Sequence, residues 1–136
     1  MPTVRSPLYF HDRPDIVTAK TQALDTILGD ANFALVFMDI EGSEYFALQG
    51  MQRILAAART LIVEFLPHHL RDVSGVTPEQ FLDPIAPHFD RLFVPSKHLT
   101  VGRDAFAATL CAMFDRNEGE AGLVFTRARP GVGANP

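Results

Sequence analysis

The hydrophobic and polar positions alternate between two periods along this chain. An apolar run over 34–39 ends in Asp39, and an apolar run of this length bounded by a turn signal predicts a buried strand. Leu48, Met51, Ile54 and Leu55 then recur at helical spacing and predict a returning helix over 44–58. Residues 60–65, Thr-Leu-Ile-Val-Glu-Phe, are a β-branched strand stopped by Leu66-Pro67. Thr77-Pro78-Glu79-Gln80 opens a helix toward Phe89, with threonine as cap and proline at the first helical position; Pro84 and Pro87 should shorten or kink it. Residues 91–94 predict a third strand, 104–115 a helix or irregular apolar segment, and 122–126 a closing strand. Upstream, Ile16-Val17-Thr18 reads as a short extended piece and residues 24–28 as a short helix closed by Gly29-Asp30. Residues 1–14 read as an N-terminal arm, 73–76 as a loop and 127–136 as a frayed, glycine- and proline-rich tail.

Strands alternating with helices predict an α/β layer fold in one domain spanning 1–136, with a tendency to three layers. The 34–39 and 60–65 strands should be parallel neighbours, because a helix of this length between them is what a parallel crossover requires.

Composition narrows the function. A chain of 136 residues can bury about two-thirds of its unfolded surface. Its formal net charge of −4 supplies no basic footprint for nucleic acid. No apolar run approaches the ~20 residues of a membrane span, and no signal-peptide core precedes His11-Asp12-Arg13-Pro14. The lone cysteine, Cys111, has the apolar neighbours Leu110, Ala112 and Met113 and reads as a buried thiol rather than a nucleophile. These features predict a soluble chain in a reducing cytoplasm.

The candidate chemistry gathers where the first strand ends. Asp39, Glu41 and Glu44 surround Gly42, and ligands of open parallel sheets bind at the carboxyl ends of the strands. Such carboxylates could orient or deprotonate a hydroxyl, or hold a hard cation such as magnesium. The structural alternatives are local: Asp39 as a cap, Glu41 and Glu44 as favourable charges at a helix N-terminus, and Gly42 as a conformational requirement. Glu64 ends an apolar strand and needs a partner or solvent, for which Arg71 or a backbone turn is available. His68-His69 could serve as ligands or bases or simply face solvent, while His11, His88 and His98 are isolated. Tyr45 and Phe46 read as core or helix-packing residues.

Several of these residues follow one another in a familiar order. Met38-Asp39-Ile40-Glu41-Gly42-Ser43-Glu44, then Leu48-Gln49-Gly50, then Leu61-Ile62-Val63-Glu64, with Ala23-Leu24-Asp25 upstream, resemble the FkbM-type S-adenosylmethionine-dependent methyltransferases. The resemblance covers about 16–126 and is specific in the middle third; Met38 stands where the family commonly has lysine. It implies a Rossmann-like methyltransferase sheet represented by its later strands, S-adenosyl-L-methionine as cofactor, and O-methyl transfer to a small-molecule hydroxyl. Asp39, Glu41 and Glu44 become the catalytic candidates, Asp39 and Gly42 the cofactor-side ones, and Glu64 and His68 the substrate-side ones, with no residue assigned as a metal ligand.

The glycine-rich cofactor turn of such enzymes has no counterpart before Ala34, where Gly29 is the single glycine, and Gly131-Val132-Gly133 lies in the tail. The chain therefore reads as the C-terminal half of a methyltransferase domain that binds the cofactor weakly or not at all alone. Two alternatives stand beside it. One is a non-catalytic module that self-associates, or pairs with a missing N-terminal half, through an open sheet edge. The other is a metal-assisted hydrolase built on Asp39, Glu41 and His68.

Overall fold

The computed structural model describes residues 17–128. It contains helices α1 (Leu24–Ile27), α2 (Glu44–Gln49), α3 (Gln52–Ala57), α4 (Pro67–His69), α5 (Pro78–Leu82) and α6 (Phe106–Asp115). The strands are β1 (Leu35–Met38), β2 (Thr60–Phe65), β3 (Arg91–Val94), β4 (Leu99–Gly102) and β5 (Glu120–Thr126), in the spatial order β1-β2-β5-β3-β4. As the sequence predicts, β1 and β2 are parallel neighbours, in register from Leu35–Thr60 to Met38–Val63. β5 runs antiparallel between β2 and β3, and β4 pairs antiparallel with β3. This mixed sheet is consistent with a partial Rossmann-like methyltransferase fold.

One sheet face builds the core. Met38, Leu61, Val63, Phe65, Leu92, Leu123 and Phe125 are buried in a single cluster with Leu48, Ile54 and Leu55, then Phe81, Leu82 and Ile85, then Phe106, Leu110 and Met113 from the helical side. On the other face Phe37, Ile62, Val124 and Phe93 form one row across four strands. There Leu35 is 53% and Phe37 67% exposed, so among the described residues the packing is two-layered, without the third layer toward which the pattern tends.

The single helix expected over 44–58 is two helices, α2 and α3, broken at Gly50 and Met51. The break has a cause outside the helix. A Cβ on Gly50 would lie 3.2 Å from the Ala23 Cα, so glycine admits the neighbouring backbone, and the Asp25 N–H donates to the Gly50 carbonyl at 3.0 Å. The Asp25 carboxylate then accepts the Arg53 and Ile54 N–H groups (2.8 and 3.1 Å), capping α3 from a distant segment. The apolar spacing runs through the break because both helices face the same core.

Thr77 and Gln80 form a reciprocal capping box, and α5 stops at Leu82, before Pro84 and Pro87. Pro67 ends β2 but opens α4, which continues as a π-helical turn over Leu70–Ser74 to Gly75 (φ 69°), where the sequence suggests a loop from Val73. β4 has no counterpart in the sequence pattern; it is short, and the turn that creates it uses His98 at φ 48°. Val17 and Thr18 form no strand, Ile16 and the 1–14 arm lie outside the described residues, and of the 127–136 tail Arg127 and Ala128 are described.

Candidate functional site

The chain leaves β1 at Asp39 and reverses through Glu41 (φ 57°) and Gly42 (φ 98°) into α2. Gly42 is required twice over. Its backbone lies in the left-handed region, and a Cβ there would sit 2.7 Å from the Val73 Cβ. That close approach seats the π-helical turn on the β1 turn, and it is why residues 67–74 reach the carboxylates at all.

Glu44, at the first position of α2, is buried and bends back to accept the Ile40 N–H at 2.9 Å. It therefore serves its own turn while contributing negative charge to the site. Glu64, on β2 at a register irregularity between Val63 and Phe65, is where the groups meet. Donor atoms of Asp39, Glu44 and Glu64 lie within 4.8 Å of one another, as do those of Glu41, Glu64 and His69. His69 Nδ1 is 3.4 Å from Glu64 Oε2, and its Nε2 is 3.6 Å from Glu41 Oε2. The His69 and Glu64 side chains are 12% and 14% exposed, whereas that of Glu41 is 82% exposed.

The electrostatics converge on Glu64. Its Oε2 is buried without a hydrogen-bond partner. Burial pushes its carboxyl up from the ordinary range; Asp39, Glu41 and Glu44 push the same way, and His69 opposes them. No lysine or arginine among the described residues pairs with this group of carboxylates. Oxygen donors with one imidazole have the composition of a divalent-cation site, and they equally suit a proton acceptor next to a hydroxyl.

The other side of the same turn is apolar. Ile40, Ser43, Phe46 and Ala47 face Thr21, Gln22 and Leu24 across a cleft of about 570 Å³. Phe46 is 54% exposed here, stacked edge-on against Tyr45 at 5.4 Å, so it is a wall of this cleft and not the core residue that its sequence suggests.

The structure thus brings Asp39, Glu41 and Glu44 to one place, but through Glu64 as the hub. His68 is exposed, with its ring 4.4 Å from that of His69, and His69 is the imidazole directed at the carboxylates. Sequence spacing could not choose between them; the helical turn that Pro67 starts directs one toward Glu64 and the other toward solvent. His98 is exposed in a turn, His88 bonds to Gln52, and His11 lies outside the described residues. Cys111 is half-buried, and burial together with Glu79 pushes its thiol up to about 11, which leaves it un-ionised at neutral pH.

Comparison with known families agrees with this geometry. The Methyltransferase FkbM domain model matches residues 3–92. The match spans the N-terminal two-thirds of the chain; it starts before residue 16, where the motif resemblance begins, and stops in β3. No curated protein and no solved structure matches. A family model covering more than half of the sequence, the parallel β1–β2 pair and the acidic turn between them lead to one conclusion: the chain belongs to the FkbM methyltransferase family.

Proposed function

We propose that this chain carries the catalytic-base half of an S-adenosyl-L-methionine-dependent O-methyltransferase site that acts on a small-molecule hydroxyl in the cytoplasm. The observation that carries the reading is Glu64, a carboxylate with a buried, unpartnered oxygen at the carboxyl end of a parallel strand pair. A carboxyl held above its usual range is a better proton acceptor at neutral pH than an ordinary glutamate. The cofactor supplies a sulfonium methyl group open to in-line displacement. The residues of this chain do the rest. Glu64 takes the hydroxyl proton as the oxygen attacks, His69 fixes the orientation of Glu64, and Asp39 and Glu41 line the approach. His68 borders the substrate side from solvent. On the cofactor side, Asp39 and Gly42 form the edge of the turn, and the Ile40–Phe46 cleft offers apolar cover from water. Positioning of the reactants accounts for much of the rate in such transfers.

A glycine-rich turn is absent from residues 1–33, so the proposal places the cofactor-binding half outside these 136 residues, on the same polypeptide or another. Among the described residues β1 is an edge strand, and Leu35 and Phe37 are exposed on the adjoining sheet face; both support such pairing, and the same edge would equally serve a non-catalytic module. Neither nucleic acid nor membrane has a role in this reading. Among the described residues no helix is long and apolar enough to cross a bilayer.

Titration calorimetry with S-adenosylhomocysteine tests the proposal. The 136-residue chain alone should give weak or no binding. A glycine-rich half of the same family, added or fused upstream, should restore it. Tight binding by the chain alone would show that the cofactor elements lie within it, and no binding in the paired form would remove the methyltransferase reading.

A further inference from the structure

A second concavity lies at the amino end of the sheet, remote from the carboxylates. β4 ends at Gly102, opposite Arg91, and Arg91 in turn lies opposite Thr126 at the end of β5. Arg103 and Arg127, the next residues, therefore leave the sheet from one cross-strand row. Each guanidinium is anchored through its Nε to one of two consecutive carbonyls: Arg103 donates to Phe89 O at 2.8 Å, and Arg127 to His88 O at 3.1 Å. Arg127 Nη2 adds a bond to Leu55 O at 3.3 Å. Both Nη groups of Arg103 and Nη1 of Arg127 have no protein acceptor among the described residues. Neither arginine forms an ion pair among the described residues. The two border a cleft of about 380 Å³ together with His88, Asp90, Pro87 and Ala56.

The remaining polar groups of the cleft are already committed. Both Asp90 oxygens accept the Ala128 N–H, at 2.9 and 3.1 Å. Gln52 Nε2 donates to the Leu48 and Pro84 carbonyls, so its Oε1 is the acceptor for His88 and the His88 hydrogen resides on Nε2. Two pre-oriented cationic forks thus face one cleft whose single carboxylate, Asp90, is turned to the Ala128 N–H, which leaves a net positive charge. Planar guanidiniums with free Nη groups match the oxygens of a tetrahedral oxyanion, two bonds at a time.

We propose that the Arg103–Arg127 cleft is an oxyanion site that takes a phosphate group, free or as a phosphomonoester. Its independence from the carboxylate site makes it testable without methyl transfer. Burial and then Arg127 hold the His88 imidazolium below its ordinary range, so an anion seated in the cleft should raise the His88 titration midpoint.

Inorganic phosphate is titrated into the 136-residue chain at constant ionic strength, with the His88 ring signals followed by NMR. Expected is saturable binding, an upward shift of the His88 midpoint, and affinity about tenfold weaker in Arg103→Gln, the loss of one charge-assisted contact. Arg127→Lys, which keeps the charge but loses the fork, should weaken binding similarly. Glycerol phosphate run in parallel distinguishes the sources: tighter binding of the ester assigns the cleft to a phosphorylated small molecule, and equal binding assigns it to the free anion. A non-saturating response, or unchanged affinity in a folded Arg103→Gln chain, would overturn the proposal.

Discussion

Two glutamates on paired strands at the same end of the sheet, Glu120 buried and Glu64 half-buried, have opposite surroundings. Glu120 lies opposite Phe65 in register and accepts the Ser96 N–H at 3.0 Å. Glu64, one residue before Phe65, leaves an oxygen buried and unpartnered among other carboxylates. A buried carboxylate used for structure finds a backbone donor, as Glu120 does. A carboxylate set among like charges, with only His69 Nδ1 at 3.4 Å to offset them, costs stability, and such an arrangement persists where chemistry needs it. The turn beside Glu64 adds a local strain of its own, because the non-glycine Glu41 sits at φ 57°. Glu120 is in effect the internal control for Glu64.

The contrast can be broken first at its scaffold. Gly42→Ala should have the largest effect, a loss of about 1–3 kcal/mol, because the methyl meets Val73 at 2.7 Å and the backbone stays at φ 98°. Chemical denaturation measures it, and an unchanged midpoint would mean that the turn does not hold the 70–74 segment. Asp25→Ala should follow, at about 1–2 kcal/mol, since two amides at the start of α3 lose their acceptor.

The sharper comparison lies between the acids themselves. Folding raises the Glu64 carboxyl above its unfolded range, so the folded state binds that proton more tightly and stability falls as pH rises through the folded value. Glu64→Gln should therefore raise the melting temperature at neutral pH, and the gain should vanish in acid, where Glu64 is protonated. Glu120→Gln should lower it at neutral pH, because the Ser96 N–H then loses a charged acceptor. Thermal melts of both variants between pH 4 and 8 check this; the same sign for both would erase the distinction. Asp39→Asn should move stability least, within about 0.5 kcal/mol or slightly upward, as expected for an exposed residue outside the core.

Much of this was legible in the sequence where local rules suffice. The β-branched run of β2, the capping box at Thr77 and the parallel crossover all follow from period, turn chemistry and length. The helix break at Gly50 was not, because its cause is Asp25, a residue far away in sequence that becomes a cap only after folding. The acidic turn was legible through Asp39, Glu41 and Glu44, yet its hub was not. Glu64 reads as one acid at a strand end, and its neighbours are supplied by the parallel pairing and by the segment seated on Gly42. His69 shares its local sequence with His68, and the helical turn after Pro67 alone separates them. β4 is not legible in the sequence because its pairing with β3 outweighs a weak local pattern.

The role of Glu64 is decided by methyl transfer from the chain paired with a glycine-rich half of its family, scored against a panel of hydroxyl acceptors. Transfer by the paired form should be lost in Glu64→Gln while the fold is kept or stabilised, and should survive in Glu120→Gln at a temperature where that variant is folded. Transfer undiminished in Glu64→Gln would contradict that role.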